Sequence, residues 1–370
     1  MAITKRLNFD NIFLFLFLII FPFGQIVKIG IINPIDLVVG AAAIYSIIKK
    51  HKKPGIFQYF SDFIFICFVS FAFSVFLFLQ KELFIGVLYF IRLLSYFYFL
   101  VYVNNFVSKY KSNKKLLMGS LVGVSVISAI FGWIQYFAFP DIKPFFVFGW
   151  DEHLFRIVGT FLDPAFLSLI LVFGIILTPN ILVRIFLTLT LAFTYSRAGY
   201  AAFIIAIFSQ SFYTKQIKTA ILLLLLLVGT IFILPRPAGE SVRLERTSSV
   251  YARLNNYGQT LDIIKKNPVF GVGFNNMCIA RRRYIDIESF SSHSCSGSDS
   301  SLLFVLATTG IVGLISLIRL FSKVWAMVSP VLKVSLLSLL IHSIFSNSIF
   351  YVWIMGWILI LLSLEKYTKE

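Results

Sequence analysis

The sequence predicts an all-α polytopic integral membrane protein with about twelve transmembrane helices and one long external loop. Hydrophobic residues make up 59% of the 370 residues, charged residues only 13%, and the mean hydropathy is +0.90. Soluble domains carry about 25% charged residues, so a soluble fold could not bury this much apolar surface. Apolar stretches long enough to cross a bilayer also recur along the whole chain.

These apolar stretches predict the positions of the spans. We place them at about 11–29, 33–48, 56–79, 84–105, 116–138, 157–178, 182–196, 198–213, 219–235, 300–320, 325–345 and 348–364. The second, seventh and eighth spans are short, which is typical of tilted or broken helices. Residues 1–370 are predicted to form a single membrane domain.

Lysine and arginine residues are distributed unequally between the two sides of the predicted bundle. Short cytoplasmic loops accumulate these residues, and clusters occur at 49–53, 109–115, 215–218 and 319–323. The short loops and helix ends on the other side carry only Lys28, Lys81, Lys143, Arg156 and Arg197. This asymmetry predicts that both termini are cytoplasmic. It also accounts for the net charge of +17 without a nucleic-acid partner.

Residues 236–299 form the one long loop, and they lie on the external side. Loops longer than about 15 residues are usually functional or disordered. From Val250 onward the apolar residues recur at helical spacing, as Val250, Leu254, Tyr257, Leu261 and Ile264. The loop is therefore predicted to contain an amphipathic helix on the membrane surface or packed on the bundle, and to serve as a catalytic lid.

Arg156, Arg197 and Arg253 are candidates for binding an anionic group at the external surface. A planar guanidinium group suits bidentate binding of phosphate oxygens. The alternative for Arg156 and Arg197 is that they reach the interface only as anchors. Arg92 lies inside a predicted span, where either a functional role or an ion pair with Asp62 or Asp36 is expected.

Asp299 and His293 are the candidate proton acceptors. Asp299 directly precedes the predicted span 300–320, so it could cap the helix, act as a general base, or do both. His293 could transfer a proton or could simply be solvated. Asp163 lies within a predicted span, where an unpaired carboxylate is costly, and we expect it to pair with an arginine.

Two smaller features of the external loop leave alternatives open. Cys278 and Cys295 could form a disulfide bond or could occur together by chance, and no metal-ligand spacing accompanies them. The segment PVFGVGF at 268–274 loosely matches a phosphate-binding loop. A tight turn that returns the chain to the membrane explains it better.

Four segments in sequence order resemble the O-antigen polymerase and ligase superfamily of bacterial envelope glycosyltransferases. They are RIVGTFLDPAF at 156–166, YSRAGYAAF at 195–203, YARLNNYGQTLDIIKKNPVFGVGF at 251–274 and DSSLLFVLATTGIVGL at 299–314. The resemblance covers about 160 residues of the chain. Its specificity comes from the order of the segments and their positions at the external ends of spans.

The resemblance implies a metal-independent glycosyltransferase without a cofactor, in the bacterial inner membrane and with its active site on the periplasmic face. Such an enzyme takes an oligosaccharide from an undecaprenyl diphosphate donor and transfers it to a sugar hydroxyl of a lipid-linked acceptor. By motif position, Arg156, Arg197 and Arg253 would bind the diphosphate. Asp163 and Tyr257 would line the substrate site, and Asp299 or His293 would be catalytic. A chain-length regulator is a candidate partner.

One position separates the two branches of this superfamily. The ligase branch has a histidine at a fixed distance before the glycine of its TTG turn, and the corresponding residue here, counted back from Gly310, is Asp299. This departure favours an O-antigen or surface polysaccharide polymerase over an O-antigen ligase that uses lipid A-core as acceptor. A polysaccharide flippase is a further alternative, although its charges should line a central cavity rather than gather at one face.

Overall fold

A computed structural model of the chain describes residues 9–27, 32–109, 113–148, 152–234, 242, 244, 247–285 and 297–365. Within these ranges the chain forms α-helices and short 3-10 turns, without a β-strand, which confirms the predicted all-α class. The helices are α1 (Phe9–Ile20), α2 (Pro34–Ile48), α3 (Phe57–Ser74), α4 (Phe84–Lys109), α5 (Asn113–Ala138), α6 (Pro164–Leu177), α7 (Ile181–Phe193), α8 (Arg197–Thr214), α9 (Ile217–Ile233), α10 (Ser248–Lys266), α11 (Met277–Ile285), α12 (Ser301–Met327), α13 (Pro330–Phe345) and α14 (Val352–Ser363).

Four of these helices, α3, α4, α5 and α12, are long and apolar enough to cross a membrane. Shorter apolar helices fall at the other predicted spans except 198–213, where α8 is not apolar enough to be counted with them. The protein is therefore a polytopic membrane protein, while the number of twelve spans stays a prediction. Three helices begin clearly later than predicted, since α6 starts at Pro164, α13 at Pro330 and α14 at Val352.

Helices α6 and α14 form the centre of the bundle. Almost every side chain of α6 from Leu167 to Leu177 and of α14 from Val352 to Ser363 is buried. A helix that is apolar on all sides is stable only when other helices surround it, and here α6 packs on α5, α7, α8 and α13, and α14 on α4. Peripheral helices instead expose large apolar side chains, such as Phe76 and Phe232, as a lipid-facing surface requires.

Helix α12 is broken at Gly310, which has φ 66° and ψ −169°. The segment 268–272 lies against this break. The Val272 N–H donates to the carbonyl oxygen of Ala307 at 3.0 Å, and the Ile311 N–H donates to that of Pro268 at 2.9 Å. Broken backbone at membrane depth requires such partners, because lipid offers none. The structure thus supports the turn interpretation of segment 268–274, whose Gly271 contacts the backbone of Thr308 and Thr309 too closely to admit a side chain.

Replacing Gly310 with alanine should destabilise the fold. The new methyl group would overlap the carbonyl oxygen of Val269, and the left-handed backbone conformation alone costs about 1–3 kcal/mol for a residue other than glycine. Thermal unfolding of the detergent-solubilised protein measures this loss. Gly229→Ala in α9 is the matched control, because nothing lies within 4 Å of the added methyl group. Equal melting temperatures for the two variants would contradict the proposed role of Gly310.

Candidate functional site

Arg156 lies beneath the turn that connects α7 to α8. Its side chain is buried, with Nε donating to the carbonyl oxygen of Thr194 at 2.9 Å and Nη2 to that of Tyr195 at 3.2 Å. Tyr195 adopts a left-handed conformation, with φ 48°. The guanidinium group therefore fixes a strained turn immediately before Arg197. The alternative that Arg156 only anchors the protein at the membrane interface is wrong.

Arg197 is the first residue of α8 and connects this helix to α10. Its Nη2 donates to the Ser249 hydroxyl at 2.6 Å, and its Nη1 to the carbonyl oxygen of Leu244 at 3.4 Å. Arg253 of α10 lies close enough to repel it electrostatically. Two of the three predicted arginines thus meet at the external end of α8, while Arg156 supports the turn that positions them.

Arg253 differs from Arg156 and Arg197, whose guanidinium groups hydrogen-bond to other segments of the chain. Its half-buried side chain makes no hydrogen bond or ion pair with any residue that the structure describes. Tyr257 follows one turn later on α10 and donates its hydroxyl hydrogen to the carbonyl oxygen of Ile344 at 2.6 Å. Burial raises the pKa of Tyr257. The positive charge of Arg253 opposes this rise, and the negative charge of Asp299 adds to it. Tyr257 is therefore under the electrostatic influence of both a cation and a carboxylate.

The predicted amphipathic helix of the external loop is present as α10. Leu254 and Leu261 of its apolar face are exposed, whereas Asn256, Thr260 and Ile263 are buried. The buried face makes polar contacts with the segment before α12, including a hydrogen bond from the Asp299 N–H to Asn256 Oδ1 at 3.0 Å.

Asp299 is not a helix cap. Helix α12 begins at Ser301, and the Ser300 hydroxyl accepts the capping hydrogen bond from the Leu303 N–H at 3.5 Å. Asp299 lies one residue further out, where its half-buried carboxylate acts electrostatically on Tyr257 and on Arg281 of α11. The cap interpretation fails because the serine after Asp299 occupies the capping position.

Asp163 caps α6, with a carboxylate oxygen that accepts from the Ala165 N–H at 2.6 Å. Its charge also acts on Tyr351, which precedes α14 and stacks on Phe166 with ring centroids 3.7 Å apart. The pairing of Asp163 with an arginine stays a prediction. For Arg92, the expected ion pair is confirmed with Asp36 rather than Asp62, with Nη2 and Oδ2 2.7 Å apart.

His342 also lies in this region, although the sequence did not indicate it as a functional residue. It is completely buried near the end of α13, with Nε2 3.0 Å from the carbonyl oxygen of Ala165 and Nδ1 2.6 Å from the Ser348 hydroxyl. A carbonyl oxygen can only accept, so Nε2 carries a proton. His342 joins α13 to the start of α6. The sequence signal for a role of His342 was its place in the last turn of a predicted span, because that turn is predicted to lie at the external side.

Arg281 is a second residue that the sequence did not indicate as functional. It is completely buried on α11, and none of its three guanidinium nitrogens donates a hydrogen bond within the described part of the chain. Burial lowers the pKa of Arg281, and the Asp299 charge opposes this. The only sequence signal was that Arg281 shares one helical face with Met277 and Ala280, both of which are buried.

The predicted residues His293 and Cys295 lie outside the described residues. The catalytic role of His293 therefore stays a prediction. Cys278 is disulfide-bonded, whereas Cys67 is a free, buried thiol. Among the described histidines, cysteines and acidic residues, no group of three or more could bind a metal ion.

The helices around these residues are too short to cross a bilayer at full thickness. α6, α7, α13 and α14 contain 14, 13, 16 and 12 residues, whereas a span needs about 20. The predicted spans 157–178 and 348–364 begin as segments that are not α-helical. Ile157, Val158 and Phe161 in the first of these segments are fully buried. The α-helical parts of both spans therefore start inside the predicted spans.

This arrangement suits a transfer reaction in which the leaving group is an anion. Arg197 and Arg253 lie near enough to repel each other electrostatically, and two guanidinium groups in one region could bind a phosphate group. The Asp299 carboxylate acts electrostatically on Tyr257 and could accept a proton.

A family model described as O-antigen ligase matches residues 182–318. The match runs from α7 into α12, so it includes Arg197, Arg253, Tyr257 and Asp299. It confirms the predicted resemblance to the O-antigen polymerase and ligase superfamily, and it favours an enzyme over a flippase. No curated protein matches the chain.

Proposed function

We propose that the chain, which carries an O-antigen ligase-family domain over residues 182–318, is a surface polysaccharide polymerase of the bacterial inner membrane. It would transfer oligosaccharide repeat units from undecaprenyl diphosphate to the acceptor sugar of another lipid-linked repeat unit. The observation that carries the proposal is that Arg197 and Arg253 lie near each other, and that Arg253 and Asp299 both act electrostatically on Tyr257. Arg253 has no partner among the described residues, so its guanidinium group is available to a substrate.

The arginine pair would stabilise the leaving group. When the bond between the sugar anomeric carbon and the phosphate oxygen breaks, negative charge develops on the diphosphate that remains attached to the lipid. Preorganised guanidinium groups stabilise this charge without a metal ion. Arg197 is fixed by Ser249 and so contributes an oriented donor, while Arg253 supplies a second, adaptable contact.

Asp299 would be the general base. The acceptor hydroxyl oxygen forms the new bond to the anomeric carbon, and its proton passes to the Asp299 carboxylate. Tyr257, fixed by its hydrogen bond to Ile344, offers a ring face to a sugar. His293 remains the second candidate for the base. The loop 236–299 would act as the lid over the periplasmic site, with both termini in the cytoplasm.

An O-antigen ligase is the second candidate, because the matching family model carries that description. A ligase would use the same lipid-linked donor but would transfer the glycan to lipid A-core. The residue at Asp299, where the ligase branch has a histidine, favours the polymerase.

The two candidates are separated by their acceptors. Purified protein supplied only with lipid-linked repeat units should produce a ladder of longer lipid-linked chains on a gel, because a polymerase uses these units as both donor and acceptor. A ligase should produce nothing until lipid A-core is added. In cells, loss of the polymerase should leave single repeat units on lipid A-core, whereas loss of a ligase should leave none. Transfer that depends on lipid A-core would overturn the polymerase proposal.

A further inference from the structure

A cavity of about 340 Å³ lies between α8, α12 and α13, away from the candidate functional site. It is lined by the last two turns of α8, by Trp325 near the end of α12 and by Lys333 near the start of α13. Arg197 begins α8 and Asp299 precedes α12, so the cavity is at the opposite end of the bundle from both. Its size falls in the range of pockets that bind small molecules, about 300–1,000 Å³.

Lys333 brings a positive charge into this cavity. Its side chain is half-buried and makes no hydrogen bond or ion pair with a described residue, while its ammonium nitrogen lies 5.9 Å from the centre of the Trp325 ring. None of the described residues that line the cavity is acidic. Glu365 at the same end of the bundle instead accepts hydrogen bonds from the Ser329 N–H at 3.2 Å and the Ser329 hydroxyl at 2.5 Å. A half-buried cation of this kind favours the binding of an anion.

Two hydroxyl groups of α8 add hydrogen-bond donors to this cation. Ser209 and Tyr213 both line the cavity, and neither hydroxyl group makes a hydrogen bond within the described part of the chain. The two residues are four positions apart and therefore share one face of α8. An ammonium group and two hydroxyl groups, without a carboxylate, suit the oxygen atoms of a phosphate group.

The rim of the cavity is apolar. Phe212 is 85% exposed and Phe208 is exposed as well, so the cavity opens onto the apolar outer surface of the bundle. A soluble phosphate compound gains nothing from such a rim, whereas the acyl chains of a phospholipid can lie against it. Lysine and arginine accumulate at this end of the bundle, which is therefore predicted to face the cytoplasm, and the leaflet on that side carries anionic lipids.

We propose that this cavity binds the phosphate headgroup of an anionic glycerophospholipid from the leaflet at this end of the bundle. Lys333 neutralises the phosphate charge, and the hydroxyl groups of Ser209 and Tyr213 donate hydrogen bonds to its oxygen atoms. The acyl chains lie along Phe208 and Phe212. Basic pockets between transmembrane helices on the cytoplasmic side are suited to such headgroups. The inference does not rest on the proposed function, and a lipid bound here would hold α8, α12 and α13 together.

Native mass spectrometry of the full-length protein in a neutral detergent tests this proposal. Phosphatidylglycerol and phosphatidylethanolamine with the same acyl chains are the probes, and the wild type should retain one phosphatidylglycerol in preference. Lys333→Gln should weaken this preference by at least about fivefold, the scale for one lysine near an anionic lipid, and Lys333→Arg should keep it. Ser209→Leu should also lose the preference, because it fills part of the cavity without changing the charge.

Thermal unfolding separates lipid binding from a loss of folding in these variants. Without lipid, the melting temperatures of Lys333→Gln and Ser209→Leu should be close to that of the wild type. Added phosphatidylglycerol should raise the melting temperature of the wild type only, because a ligand stabilises the folded state that binds it. An equal rise in Lys333→Gln, or an unchanged lipid preference, would overturn the inference.

Lys323→Gln is the matched control. Lys323 is exposed near the same end of α12 and also lies over an aromatic ring, 5.7 Å from the centre of Tyr59, but it does not line the cavity. Its lipid preference should equal that of the wild type, and a loss equal to that of Lys333→Gln would show that only surface charge matters. Displacement of the lipid by an equal concentration of glycerol phosphate would assign the cavity to a soluble phosphate compound instead. A changed dimer fraction in Lys333→Gln, with an unchanged lipid preference, would assign it to contact between two copies of the chain.

Discussion

Asp299→Asn should slow elongation of lipid-linked repeat units at least about a hundredfold, the usual scale for removing a general base. The amide side chain has nearly the same size but cannot accept the proton. The substitution keeps two local contacts, because the hydrogen bond to Asn256 comes from the backbone N–H of Asp299 and the cap of α12 comes from Ser300. Chain elongation by the purified variant, with donor binding measured separately, checks the prediction.

Two companion variants make this result specific. Ser300→Ala removes the cap of α12 and should cost about 1 kcal/mol of stability, with elongation retained at temperatures below unfolding. His293→Gln tests the second candidate in the same assay, and it should elongate normally. If Asp299→Asn makes normal polymer while His293→Gln makes none, the role of general base passes to His293.

Arg253→Ala should reduce elongation by about 10²–10³, as expected when one charged donor to a developing anion is removed. Its melting temperature should be unchanged, since Arg253 makes no hydrogen bond or ion pair within the described residues. Arg253→Lys should recover little, because an ammonium group lacks the planar, bidentate geometry of guanidinium. Elongation rates and thermal unfolding, measured on the same preparation, check both statements.

Lys265→Ala controls for the loss of a positive charge from α10. Lys265 is exposed and paired only with Asp262 on the same helix, so elongation should be normal. Arg156→Ala should behave differently from both, because it leaves the buried carbonyl groups of Thr194 and Tyr195 without their donor, a loss of about 1–3 kcal/mol for each. Full activity of Arg253→Lys would show that charge alone matters at this position.

The helices could be predicted because membrane spans depend on a strong, local signal. Apolar stretches must satisfy their own backbone hydrogen bonds in lipid, so composition and length indicate a helix. The positions of Arg197 and Arg253 could be predicted for the same reason, since both follow from where spans and the external loop begin. The late starts of α6 and α14 could not, because Ile157 and Phe161 are as apolar as any helical residue.

The details of the site depend on contacts between distant parts of the chain, which local patterns do not encode. Asp299 was the candidate cap, but α12 begins at Ser301, so Ser300 occupies the capping position. Leu254 and Leu261 belong to the predicted apolar face of α10, and both are exposed. Arg281 is one of three consecutive arginines, and its burial follows from the packing of α11 rather than from its neighbours in sequence.

The short central helices α6 and α14 have a consequence for how the proposed lipid-linked substrate would reach the site. A diphosphate at the normal membrane surface lies about 15 Å from the bilayer midplane, and lifting its isoprenoid chain into water costs about 0.8 kcal/mol for each exposed CH₂ group. A helix of 12 residues is about 18 Å long, so with α14 centred in the bilayer, a site at the end of this helix would lie several ångströms below that surface. The polar head can then enter the protein sideways while the chain stays in hydrocarbon. Both the donor and the growing acceptor could therefore bind and leave without the free-energy cost of extraction from the bilayer.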